Sequence, residues 1–171
     1  MKNKIKILIV LPFLFLLLIT SCEKEGLPKA TQTGANTMSC KVNGKVWQKK
    51  ACVSCLGGGS ALSLNYDDRD FFGISGQNRD QNITITLIIN SLKKTRIYSS
   101  STNGNNQAYL NNYNNGTYYS TSQSNKGTIT VTKLDLNNKI ISGTFEFTAE
   151  DENNPNNTIK VTDGRFDVKY Y

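Results

Sequence analysis

The sequence predicts an all-β chain, folded as an antiparallel β-sandwich or partly open barrel of about eight strands. Three observations carry this. From Thr37 onward apolar residues recur with period two and no amphipathic helical period appears. Ile83, Ile85, Leu87 and Ile89 alternate with Thr84 and Thr86, as in a central strand with one buried face. The turn-forming pairs Asn43-Gly44, Asn137-Asn138 and Asp163-Gly164 separate alternating runs at the distances hairpins need.

The elements follow in order. Asn43-Gly44 turns a first hairpin that sets Val42 opposite Lys45 and Cys40 opposite Trp47, with Met38, Cys40, Val42 and Trp47 on the core face. Short strands are expected over residues 60–65, 70–75 and 95–99. Residues 127–135 and 139–149 form a hairpin around Asn137-Asn138. A bulge near Ser142-Gly143 adds one residue and places Val131 opposite Phe145 and Ile129 opposite Phe147. Asp163-Gly164 predicts a last two-residue hairpin that pairs Val161 with Phe166 and Ile159 with Val168. Asparagine favours turns and left-handed backbone over regular structure, so residues 103–115 and 153–157 read as loops.

The N-terminus has a different character. Lys2, Lys4 and Lys6 precede an uncharged stretch from Ile7 to Ile19, the charged and apolar regions of a secretory signal. As a helix that stretch rises only about 20 Å, short of the roughly 30 Å of a bilayer core. Ile19-Thr20-Ser21-Cys22 resembles the lipobox of bacterial lipoproteins, which implies lipidation of Cys22 and cleavage before it. More than one acyl chain on that residue would hold the protein at a membrane stably. Glu23-Lys24-Glu25 is similar to the acidic, lysine-containing export signal of surface lipoproteins in Bacteroidetes-type bacteria. The expectation is therefore a lipid-anchored outer-membrane protein, with the cell surface as its outer limit. Residues 1–21 are the signal peptide and 22–36 a lipidated flexible tether of roughly 20 Å. Residues 37–171 form a single all-β domain.

Composition narrows the function classes. The chain's net charge of +7 overstates the basicity of the domain, because three of its lysines belong to the leader. The remaining basic residues are dispersed among acids, with Lys93-Lys94-Thr95-Arg96 the one cluster, so no nucleic-acid partner is expected. The absence of histidine removes histidine-dependent triads, imidazole zinc ligands and the usual general base.

Four segments together resemble a family of uncharacterised Bacteroidetes lipoproteins, a domain of unknown function. They are residues 39–47 (SCKVNGKVW), 127–131 (GTITV) with Asp135, 141–149 (ISGTFEFTA) and 162–168 (TDGRFDV). The resemblance spans about residues 37–170 and implies an exported all-β domain of this size. It brings no activity, ligand or catalytic residue.

Few residues invite chemistry. After lipidation of Cys22, the cysteines Cys40, Cys52 and Cys55 remain. An oxidising compartment favours one disulfide among them, from Cys40 to Cys52 or Cys55, with inert thiols or a redox or metal role as alternatives. No cofactor and no metal site is expected: Cys-Val-Ser-Cys lacks a βαβ context and a fourth ligand. Asp67, Asp68 and Asp70 read as a polar turn and not as a Ca²⁺ site, and Glu150, Asp151 and Glu152 as a hairpin loop. No catalytic residues are singled out. Tyr98, Tyr109, Tyr113, Tyr118 and Tyr119 lie in or beside the asparagine-rich segment. Flat rings that stack and amides that donate and accept suit a recognition surface. The expected function is a non-catalytic, membrane-tethered module that binds a glycan or protein partner. An accessory subunit of an envelope complex is the second expectation and a hydrolase the third.

Overall fold

The computed structural model describes residues 26–52, 60–67, 69–101 and 104–171. The expected signal peptide over residues 1–21, Cys22, Cys55 and Asp68 lie outside the described residues. Every regular element described is a strand: β1 (Thr37–Val42), β2 (Lys45–Gln48), β3 (Leu62–Tyr66), β4 (Phe72–Asn78), β5 (Ile83–Ile89), β6 (Ile97–Ser100), β7 (Asn106–Asn112), β8 (Thr117–Ser120), β9 (Gly127–Asp135), β10 (Ile140–Asp151) and β11 (Asn154–Lys169). All eleven join one sheet in the order β2-β1-β11-β10-β8-β7-β5-β4-β3, with β9 on β10 and β6 on β9.

That sheet folds over on itself along β10. One edge of β10 pairs with β11 along its length, while the other pairs first with β9 and then, at Glu150 and Asp151, with β8. The first layer is thus β6-β9-β10-β11-β1-β2 and the second is β8-β7-β5-β4-β3. Their inner faces meet where Phe72 lies 5.6 Å from Phe166 and where the indole N–H of Trp47 donates to the carbonyl of Ile83. Lys50 continues β2 onto Gln77 and Asn78, so the fold closes at one end and stays open beside β3. The sandwich and the partly open barrel are here one object.

Alternation predicted the core well. Ile85, Leu87, Ile89, Ile129, Val161, Phe166 and Val168 are all buried. The first hairpin has the expected register, with Asn43 and Gly44 both left-handed at φ 47° and 80°.

Three local expectations are corrected. The asparagine-rich stretch read as a loop contains β7 and leads into β8, because Ala108 and Leu110 alternate inward and sheet pairing outweighs the local preference of asparagine. The bulge at Ser142/Gly143 is present, but the extra residue sits on β9. Val131 therefore faces Gly143, and Ile129 faces Phe145.

Asp163-Gly164 makes no hairpin, because β11 runs straight through it. Val161 pairs with Phe147 and Val42, and Phe166 pairs with Gly143 and Met38. Only Asp163 is left-handed, at φ 54°, so the pair forms a bulge that keeps Ile159, Val161, Phe166 and Val168 all facing inward. Gly164 is needed for close approach: a Cβ there would run into the carbonyl and ring of Phe145.

The tether is also corrected. From Pro28 to Asn36 the chain lies as a strap on the outside of the first layer, held by the Asp167 carboxylate. Asp167 accepts from Thr31 Oγ1 at 2.6 Å, from the backbone N–H groups of Thr33, Gly34 and Ala35, and from Ser142 Oγ. Arg165 donates to the Pro28 carbonyl and the Lys169 N–H to Asn36. Burial would raise the Asp167 carboxyl, but the donors of Thr31, Ser142, Gly34 and Thr33 together hold it well below the usual carboxylate range.

Asp167→Asn should loosen the strap, making residues 28–36 protease-sensitive and lowering stability by about 2–4 kcal/mol at pH 7. Because the folded state lowers this carboxyl, its contribution is complete above the unfolded value of about 3.9 and drains away as pH falls towards the folded value. Urea denaturation at pH 7 and pH 3 should accordingly show the gap between wild type and variant shrinking at the lower pH.

Candidate functional site

The second layer has an outer face of unusual chemistry. Its strands bury Phe72, Ile74, Ile85, Leu87, Ala108 and Leu110, and alternation turns the residues between them outward. The register lines these up in rows across the strands. One row is Ser63, Ser75, Thr86, Tyr109 and Ser120, a second is Asn65, Gly73, Ile88 and Gln107, and a third is Gln77, Thr84, Asn111 and Tyr118. None of these positions carries an acid or a base, although 19% of the chain is charged. The outer face of the first layer is the contrast, with Lys41, Glu146, Lys160, Asp163 and Arg165 on it.

Tyr109 and Tyr118 are diagonal neighbours across β7 and β8, with ring centroids 5.6 Å apart and planes inclined at 37°. They border a hollow of about 210 Å³ with Gln107, Ser120, Thr121 and Glu152. Burial raises the Tyr109 hydroxyl. Burial, with smaller contributions from Tyr109 and Glu152, pushes Tyr118 up to about 12. Both hydroxyls stay protonated at ordinary pH and can donate as well as accept.

The five tyrosines expected to form one surface divide. Tyr109 and Tyr118 share the outer face, and Tyr113 stands exposed at the β7–β8 turn. Tyr98 and Tyr119 are corrected: both are buried, at 3% and 6% exposure. The Tyr98 hydroxyl donates to the Lys94 carbonyl and its ring carries the Arg96 guanidinium at 4.6 Å. Tyr119 accepts from Asn157. Burial of an aromatic ring is permitted once its hydroxyl has a partner inside the protein.

The asparagines of the turn have a structural job. Asn114 bonds Asn82, the Gln81 carbonyl and Asn112, and Tyr113 N–H donates to the Asn82 carbonyl, so the β7–β8 turn is knitted to the β4–β5 turn.

The cysteines resolve differently from the expectation. Cys52 is disulfide-bonded. Cys40 is free, which corrects its assignment to the disulfide. It sits opposite Trp47 with its thiol in the core, where burial pushes its pKa far up and leaves it inert. Asp67 forms a turn, accepting from the N–H groups of Arg69 and Phe71. Among the described residues no group of three potential metal ligands comes together.

Residues 59–168, well over half of the chain, match the family described as Domain of unknown function (DUF6252), and the chain belongs to that family. No curated protein and no solved structure matches it.

Tyr98→Ala and Tyr119→Ala should each cost about 3–5 kcal/mol, as truncated core aromatics do. Tyr113→Ala should stay within about 0.5 kcal/mol of wild type. Chemical denaturation of the three single variants tests this division.

Proposed function

We propose that the protein is an outer-membrane lipoprotein of the Bacteroidetes surface type, anchored through Cys22, whose domain is a non-catalytic binding module for a glycan. The observation that carries the binding reading is the Tyr109–Tyr118 pair on an outward face of neutral hydrogen-bonding side chains. Sugar rings present C–H faces that pack on aromatic rings and hydroxyls that suit amides and hydroxyls, and that face offers both kinds of contact. The anchoring reading rests on the leader, the lipobox-like Ile19-Thr20-Ser21-Cys22 and the charged residues behind it.

A second reading is an accessory subunit of an envelope complex, with the same face docked on a protein. The hydrolase reading is weaker still. Glu146 and Asp163 line one groove, and the ion pair with Lys41 at 3.0 Å holds the Asp163 carboxyl low, which suits that residue to no general-acid role.

Two experiments test the proposal. On a glycan array, with an envelope pull-down alongside, Tyr109→Ala/Tyr118→Ala should lose capture while keeping a cooperative unfolding transition. Capture by the pull-down alone would favour the accessory subunit, and no capture in either assay would end the binding reading. Cys22→Ala should abolish palmitate incorporation and move the protein out of the membrane fraction. Unchanged fractionation with normal cleavage would defeat the anchor.

A further inference from the structure

A third aromatic ring lies on the uncharged face. Gly73 stands between the inward residues Phe72 and Ile74, so its missing side chain points outward. A Cβ built there would come within 3.1 Å of the Phe71 ring, which therefore covers the β4 backbone on the same side as Tyr109 and Tyr118. The chain is turned to deliver that ring. Asp70 is left-handed at φ 62°, and the Phe71 N–H is pinned to the Asp67 carboxylate at 3.2 Å.

The spacing follows from the register. Gly73 aligns with Ile88 and Gln107, two residues from Tyr109 on β7 and four from Asn111, the partner of Tyr118. At about 4.8 Å per strand and 3.3 Å per residue, the Phe71 platform lies roughly 12 Å from Tyr109 and 20 Å from Tyr118. The diagonal between them passes over Ile88, Gln107 and Thr86.

We propose that this strip binds an extended, electrically neutral polysaccharide over several consecutive sugar rings, with Phe71 stacking at one end and the tyrosine pair at the other. The proposal rests on the reading of this face as the binding surface and adds the ligand's charge class and length. A polyanion would need lysine or arginine to offset the desolvation of its carboxylates or sulfates. The rows of the strip have neither, the cations beside Phe71 are paired with acids, Arg69 with Asp67 and Lys93 with Asp70, and Glu150 and Glu152 stand at the β10 border, where they repel one. A protein partner would be served by a compact apolar centre. Here the rings are spread along a diagonal, with hydrogen-bonding groups between them.

The test is titration calorimetry of the purified protein with linear neutral glucan and mannan oligosaccharides of increasing length, and with polygalacturonate as the charged control. Affinity for one neutral series should rise with length and then level off, with little dependence on salt. Phe71→Ala and Phe71→Leu should each weaken the longest oligomers about tenfold, some 1.4 kcal/mol, and hardly affect the shortest. The leucine variant keeps Gly73 covered, which separates lost stacking from lost folding. A plateau already reached with a disaccharide, or no effect of either variant, overturns the extended footprint while the Tyr109–Tyr118 reading survives. Salt-sensitive binding of polygalacturonate alone overturns the neutral class. A tyrosine-dependent pull-down without any glycan binding overturns this inference and leaves the face as a protein-docking surface. No binding in any of these assays overturns both.

Discussion

Everything in the fold hangs on the exchange of neighbours along β10. It pairs with β11 along its length, through two bulges, but on its other edge Gly127 of β9 faces Phe147, and three residues later Ser120 of β8 faces Glu150. One edge of a single strand thus serves two layers in turn. The crossing demands close packing: a Cβ on Gly127 would collide with Phe147 and Ser100, and one on Gly143 with the Thr130 carbonyl and the Phe166 ring. Glycines at these places let the sheet fold over without opening a gap between its layers.

The division into two layers gives the molecule two unlike outer faces. The first layer carries the strap and most of the charged groups, and the buried Asp167 carboxylate ties residues 31–35 to strand β11. A carboxylate removed from water must be satisfied by donors, and here three successive backbone N–H groups and the hydroxyls of Thr31, Thr33 and Ser142 supply them. The strap therefore belongs to the folded unit, and the described chain N-terminal to β1 stays off the uncharged face of the second layer. That face is left with neutral amides, hydroxyls and aromatic rings.

Much of the core could be read from residues in isolation, and the candidate site only in part. Gln107, Tyr109 and Asn111 alternate with Ala108 and Leu110, so the outward position of Tyr109 was written in a period-two pattern that the surrounding asparagines obscured. Tyr98 and Tyr119 follow the same alternation, but whether a tyrosine on the inner face is tolerated depends on a partner for its hydroxyl. For Tyr119 that partner, Asn157, comes from another part of the chain, whereas Tyr98 finds the Lys94 carbonyl close by in its own segment. The place of Phe71 had no local signal beyond the glycine two residues on.

The sequence by itself determined the class of the fold, the inward-facing residues of the clearly alternating strands and the first hairpin, because alternation and an Asn-Gly turn act through contacts close along the chain. The expected leader and the lipobox-like segment likewise rest on contiguous residues. Only the tertiary structure decided that Asp163-Gly164 is a bulge and that residues 28–36 are a strap. A turn dipeptide merely permits a reversal. Around Asp163, β11 is paired on both sides, to β1 and to β10, and reversing there would forfeit both sets of hydrogen bonds. The strap likewise has no periodicity of its own and is held by an aspartate more than 130 residues away, a pairing that exists only once the sheet has formed.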